Sequence, residues 1–250
     1  MGVAVLCNRC DMRFLKRMTA GFLTASTALC LAACGGENTA DHLKNIEKPK
    51  TAATQDEADF TAKAGAVEES PNVNGMRFNM TLQEFTQKYN EEKTLRQESD
   101  LIFFGNWQQN GEGEKDANNV AVEYWHYDDS NVSFTATVES ATQKILNIGC
   151  GTTMNKFMGM TGDKNNSDLI LGKAALMAQT VCGFPSNSEP VLQDIFFRTT
   201  TESSDTLWYS GYVFHLSTKE DKNDSKNNIM LFRVFPITEE LKKEWKLAEY

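Results

Sequence analysis

The chain has 250 residues, with 25 Lys and Arg against 34 Asp and Glu and a formal charge of −9. An acidic balance argues against a nucleic-acid partner and against adhesion to anionic lipid headgroups by charge alone. Apolar residues make up 40% and aromatic residues 10%, enough for one packed core of ordinary domain size.

Residues 1–33 read as a secretory signal. Arg13, Lys16 and Arg17 form a positive start, and Thr19 to Ala33 is apolar or small without a charge. That run is too short for a stable membrane-spanning helix, which needs about 20 apolar residues. Met12 gives a signal of ordinary length, so it is the expected start, and residues 1–11 are upstream extension. Cys7 and Cys10 lie in that extension as Cys-x-x-Cys, a pair that would supply only two of a metal's ligands.

The run ends in Leu31-Ala32-Ala33-Cys34-Gly35. This resembles the lipobox of bacterial lipoproteins: a leucine, two small residues and a cysteine. The resemblance implies that the Cys34 thiol takes a diacylglycerol through a thioether. Cleavage before Cys34 then frees its amine for a further acyl chain of the palmitate type. Each buried CH₂ contributes about 0.8 kcal/mol, so two or three chains hold firmly where one is reversible. The expected partner is therefore a membrane, through covalent lipid. Gly35 rather than Asp after the cysteine implies the outer membrane over the inner, with the protein in the bacterial envelope facing the periplasm.

From Cys34 to Gly75 the composition turns to Ala, Thr, Glu, Asp, Lys and Asn, with Phe60 as the one aromatic residue. Residues 34–75 are expected to be a disordered tether carrying the lipid. Its span is on the order of 35 Å for a flexible chain.

Residues 76–250 are expected to form a globular α+β domain. Met76, Phe78 and Met80 alternate as in a short strand. Thr81-Leu82-Gln83-Glu84 is a capping box, and Leu82, Phe85 and Tyr89 share one face of the helix it opens, to about Lys93. Leu101 to Trp107 reads as a strand and 108–119 as a polar loop. A meander follows: 120–127, 132–138 and 144–150 alternate, with turn chemistry at Asp128 to Asn131. Residues 154–166, with Met154, Met158 and Met160, read as a flexible Met-rich loop. A helix over Asp168–Cys182, capped by Asn166 or Ser167, ends at Gly183 and Pro185. Ser188 starts another short helix. Strands over 207–216 and 229–235 flank a charged loop, and Thr238 to Ala248 reads as a terminal helix.

The fold class is thus α+β: an antiparallel sheet with helices packed on one side, in two helix-plus-strands repeats. That layout is similar to the helix-plus-sheet repeats of small secreted inhibitor proteins and envelope assembly lipoproteins. Asn79-Met80-Thr81 keeps the Met-Thr with which the assembly lipoproteins open, but their Gly before it and their Gly-x-Pro close are missing.

Little of this carries chemistry. Cys150 and Cys182 are the cysteines of the globular part. In an oxidising compartment two such residues commonly pair, and a disulfide between them would close a loop worth about 3–4 kcal/mol. His126 and His215 sit within aromatic strands, where a hydrogen-bonded structural role is usual, so a Cys–His nucleophile is not expected. Gly149-Cys150-Gly151 lacks the lysine and spacing of a phosphate loop, and the acidic turns lack calcium-loop spacing. No metal and no cofactor are expected. Trp125, Tyr127, Trp208, Tyr209 and Tyr212 are the candidate binding surface, since Trp and Tyr are common anchors. The expected function is non-enzymatic: a binding or assembly module for an envelope protein or cell-wall partner. The alternatives are an inhibitor of an envelope or secreted enzyme, and a small-ligand carrier.

Overall fold

The computed structural model describes residues 60, 62–95, 106–111, 113–128, 132–159, 166–201, 205–221, 223 and 227–250. The signal, the lipobox with Cys34, most of the tether, and residues 101–105 of the expected strand lie outside the described residues.

Ordered structure begins before Met76, the expected boundary. β1 (Val67–Glu69) pairs antiparallel with β2 (Met76–Phe78), Val67 opposite Phe78. Further upstream, the Phe60 amide donates to Tyr209 Oη at 2.7 Å and the Ala62 amide to Ser210 Oγ at 3.3 Å. Phe60, Ala62 and Val67 pack on the main core. Composition alone hid this, because a short edge hairpin needs only one or two apolar anchors.

α1 (Leu82–Leu95) starts as its capping box requires. The Thr81 amide donates to Glu84 Oε2 at 2.8 Å and the Glu84 amide donates to Thr81 Oγ1 at 3.2 Å. The Thr81 amide foremost, and then the Thr81 hydroxyl, which donates to Glu84 Oε2 at 3.0 Å, hold the Glu84 carboxyl below its ordinary value. Phe85 and Tyr89 turn inward, and Tyr89 meets Phe134 edge-on at 5.8 Å.

The strands that follow are β3 (Gln108–Gln109), β4 (Glu114–Lys115), β5 (Ala121–Asp128), β6 (Ser133–Glu139) and β7 (Lys144–Thr153). The polar stretch expected as a loop therefore adds two short strands to β5. α2 (Met154–Met158) replaces the first part of the expected Met-rich loop. Thr153 caps it, Gly159 ends it at φ 65°, and Met154 and Phe157 are fully buried. Met154 fills the core and Met158 packs against it, so the apolar i, i+3 pair Met154 and Phe157 outweighed the flexible composition.

α3 (Ser167–Cys182) and α4 (Glu189–Thr201) form a packed pair. Thirteen of the sixteen α3 residues are buried; it is the central helix, and Ala174, Ala175 and Ala178 let its neighbours approach closely. β8 (Thr206–Tyr209), β9 (Tyr212–Lys219) and β10 (Ile229–Pro236) follow, then α5 (Glu239–Trp245) and β11 (Ala248–Glu249).

Among the described residues nine strands make one sheet, ordered β11-β8-β9-β10-β7-β6-β5-β3, with β4 also on β5. Every pairing is antiparallel except β11 on β8. The α+β class and the antiparallel meander are as the alternation indicates. The two halves join through β7 and β10 into one sheet. One helix precedes the first meander and a pair precedes the second, so an internal repeat is not established.

Register sorts the side chains onto two faces. Phe134, Cys150, Phe232 and Leu216 stand in one cross-strand row and face the helices, as do Ala136, Ile148, Val234 and Phe214. Each large apolar side chain fully buried there contributes about 1.5–3 kcal/mol. The expectation of helices on one side holds for α3 and α4, which build that core. α5 departs from it: Leu241 and Trp245 pack with Trp208, Val213 and Phe235 on the opposite face.

The expected Cys150–Cys182 disulfide is corrected by the structure, which holds both as buried thiols. Cys182 ends α3, where its carbonyl accepts from Tyr212 Oη at 3.3 Å. Tyr212 stands opposite Pro236 of β10, whereas Cys150 stands opposite Phe232.

Candidate functional site

The face of the sheet turned away from α3 and α4 carries the polar residues of the strands. One cross-strand row runs His126, Thr135, Gly149, Arg233, His215, Thr206, from β5 through β6, β7, β10 and β9 to β8. Five strand spacings give it a length of roughly 24 Å. Its charged and titratable members are an arginine and two histidines, in a chain that is otherwise acidic.

Gly149 is what lets the row close at its centre. A Cβ there would lie 2.9 Å from Leu231 Cδ1 and 3.1 Å from Arg233 Cγ. The arginine stem therefore lies across β7 in the space a side chain would fill. Burial pushes the Arg233 guanidinium down to about 10.

Beside it, His215 belongs to a hydrogen-bonded chain. Thr206 Oγ1 donates to Asp205 Oδ1 at 2.9 Å and lies 2.8 Å from His215 Nδ1. The hydroxyl proton is committed to the carboxylate, so the ring must donate from Nδ1. Burial pushes the His215 imidazole down to about 4, with Asp205 opposing and Arg233 reinforcing the fall. The ring is thus neutral at pH 7. At the other end, His126 Nε2 stands 4.0 Å from Asp128 Oδ2, and its Nδ1 makes no hydrogen bond among the described residues.

A cavity of about 40 Å³ adjoins the row. The sheet residues Val122, Thr137, Leu146, Asn147, Arg233 and Phe235 line it together with Asn72 to Asn74 and Asp116. Asn72 and Asp116 are held by hydrogen bonds to backbone groups. Asp116 Oδ2 accepts from the Val73 amide at 2.9 Å, and Oδ1 accepts from the amides of Asn118 and Val120, both at 2.9 Å. Asn72 Nδ2 donates to the Met76 carbonyl at 2.9 Å, and its Oδ1 accepts from the Asn74 amide at 2.7 Å. Tyr124 stands in the row of Thr137 and Asn147. Its hydroxyl is pushed up to about 12 by burial and by the charges of Glu114 and Asp116.

The aromatic binding surface expected from the sequence is not assembled. Trp208, Tyr209 and Tyr212 are buried. Trp208 lies under α5, with Lys242 Nζ 4.7 Å from its ring centre. Tyr209 and Tyr212 point to the opposite face and stack with Phe184 and Phe78. Trp125 and Tyr127 are half-buried on the helix side of β5. The Trp125 indole donates to Glu123 at 3.2 Å, and Tyr127 packs 6.2 Å from Trp107. Rings this large lower the free energy more inside a core than on a rim, which is where folding placed them.

Arg233, Thr135, Thr206 and Gly149 were missed by the search for aromatic anchors. Their signal was present as the polar half of the period-2 alternation: Ser133, Thr135 and Thr137 on one strand, His215 and Ser217 on another. Among the described residues no cluster of three His, Cys, Asp or Glu is placed to hold a metal ion, and no helix is long and apolar enough to cross a membrane. No protein-family model, curated sequence or solved structure matches the chain.

Proposed function

We propose that the protein is a lipid-anchored, non-catalytic binding module of the bacterial envelope. It presents the polar face of its sheet to an envelope protein. The observation that carries this reading is the polar row, in which His126, Thr135, Arg233 and His215 are half-buried and Gly149 and Thr206 are buried among them, with α3 and α4 packed on the other side of the sheet. The anchor is Cys34, on the resemblance of Leu31-Ala32-Ala33-Cys34 to a lipobox. The outer membrane is favoured over the inner by Gly35. Carriage of a small ligand has less support, because it calls for an apolar cavity of several hundred Å³, and the cavity beside Arg233 is about 40 Å³ with asparagines and an arginine in its lining.

The test is site-specific photo-cross-linking in living cells. A photoreactive residue at position 135, on the polar face, is compared with one at exposed position 88 on α1. One dominant envelope protein captured from 135 and not from 88 is the expected result. Equal capture from both, or none from 135, overturns the reading. The anchor has its own test: Cys34→Ser releases the protein from the membrane fraction, and continued acylation of that variant would refute the lipobox.

A further inference from the structure

We propose that residues 239–250 are a displaceable cover over one edge of the sheet. Beneath it, the β8 edge docks an extended strand of the partner that carries an aliphatic residue and, three positions on, a tyrosine. This rests on the polar face being a binding surface and extends that surface to the sheet's edge.

The cover lies beside the polar row. Trp208, Val213 and Phe235 stand in register two residues along from Thr206, His215 and Arg233, on the same side of the sheet. Leu241, Trp245 and Leu247 pack over them. β11 then pairs with β8, Ala248 opposite Leu207, and the Tyr250 amide donates to the Trp208 carbonyl at 2.9 Å.

Three features make this the part of the fold that can leave. No residue of the seven-residue α5 is buried, and both residues of β11 are exposed. Elements this short do not hold their shape away from the surface they lie on. Next, β11 makes the one parallel pairing among the described strands of the sheet, the weaker kind per residue. Last, Lys246 joins α5 to β11 at φ 51°, a left-handed conformation that costs a lysine free energy. That strain is released when the segment lifts.

The seat that remains is built without the cover. With β11 gone, β8 presents a row of main-chain donors and acceptors to a new strand. Asp194 is 1% exposed on α4, and Arg198 of the same helix donates to its Oδ2 at 2.9 Å. Tyr250 Oη donates to that oxygen at 2.7 Å, and the Arg198 guanidinium lies 4.9 Å from the centre of its ring. The edge therefore takes an apolar side chain where Leu247 sits, a strand backbone, and a phenol where Tyr250 sits. An entering strand with those three groups replaces the contacts it displaces, as in strand addition to a sheet edge.

The test uses the full chain in detergent. In hydrogen exchange read by mass spectrometry, fragments from 239–250 should exchange at least about tenfold faster than fragments from β9 and β10. The binding probe is labelled acetyl-Trp-Lys-Leu-Ala-Glu-Tyr-amide, the chain's own 245–250, followed by fluorescence anisotropy. Tyr250→Phe takes one hydrogen bond from the cover and leaves the seat, so the peptide should bind about fivefold tighter than to the unaltered chain. Lys246→Gly relieves the strain and holds the cover down, so binding should weaken by a similar factor. A peptide N-methylated at the tyrosine lacks the donor to the Trp208 carbonyl and should not bind. The proposal is overturned if 239–250 exchanges at the rate of β9 and β10. It is also overturned if the peptide does not bind Tyr250→Phe, if its affinity is the same for all three proteins, or if the N-methylated peptide binds as well. Peptide binding together with equal capture from positions 135 and 88 would keep the edge site and refute the polar face. Capture from 135 without peptide binding would refute the edge site and keep the face.

Discussion

His215 should make stability depend on pH in a window where ordinary carboxylates contribute little. In the native protein its ring donates from Nδ1 to Thr206 Oγ1 at 2.8 Å, and Thr206 in turn donates to Asp205. The side chain is 14% exposed, and Arg233 faces it across the ladder. A second proton would place a buried positive charge beside the guanidinium. The native ring therefore protonates only near about 4, against an ordinary 6.5. Between those values the unfolded chain binds the extra proton and the native chain does not. Stability is full above pH 6.5 and falls as pH falls toward 4. At 1.36 kcal/mol per pH unit the loss is on the order of 3 kcal/mol. His215→Gln keeps a donor of similar reach and cannot titrate. Urea unfolding at steps from pH 7.5 to 4 should show the unaltered protein losing stability faster than the variant, the gap between them changing by about that amount. Curves that run parallel through the whole window would refute the buried neutral imidazole.

Three further outcomes follow from the packing. Gly151→Ala places a Cβ 2.8 Å from the Met230 carbonyl oxygen; backbone has to shift, and urea unfolding should register a loss of about 1–3 kcal/mol. Tyr250→Phe removes the hydroxyl that donates to Asp194 Oδ2 at 2.7 Å. It leaves that buried carboxylate with Arg198 Nε at 2.9 Å, at an expected cost of about 1–2 kcal/mol by the same measurement. Cys150 and Cys182 are wholly buried, and burial pushes the Cys182 thiol well up. In a chain with the other four cysteines changed to serine, a thiol reagent should therefore find none before denaturation and two after it. Two that never titrate would restore the disulfide.

The parts of the fold that were legible in the sequence are those where one local rule acted alone. Thr81 and Glu84 announced a helix start, and the reciprocal bonds are there. The alternation in 120–150 announced a meander, and β5, β6 and β7 pair in sequence order. The failures lie where a side chain's position depends on a strand distant in the chain. Trp208 and Tyr209 are neighbours in sequence and point to opposite faces, one under α5 and one into the helix-side core, so no linear list could have made them one surface. Cys150 lies inside β7 and Cys182 ends α3, and where the end of α3 meets the sheet depends on Tyr212 of β9, further along the chain. The Asp116 turn shows the same limit. Its carboxylate reads as a solvated loop residue until the Val73 amide arrives from 43 residues away.

Gly149 is the sharpest instance, because one residue carries both the misreading and the site. In the chain it sits in Gly-Cys-Gly, which lacks the lysine and spacing of a phosphate loop. The backbone of β10 pairs with it as with any strand residue. The closer approach is by two side chains, those of Leu231 and Arg233. The absent Cβ makes room for a cation's stem rather than for a phosphate or a turn. Gly149→Ala therefore separates packing from positioning. The nearest atoms to its Cβ are side-chain carbons, at 2.9 and 3.1 Å, which can yield where the Met230 carbonyl beside Gly151 cannot. Its stability loss should be smaller than that of Gly151→Ala, while the stem of Arg233 is driven off β7. If Arg233 is the centre of the binding face, Gly149→Ala weakens partner capture from position 135 more than Gly151→Ala does, despite the better-preserved fold. The reverse order would show that capture follows stability alone and would remove the arginine from the centre of the face.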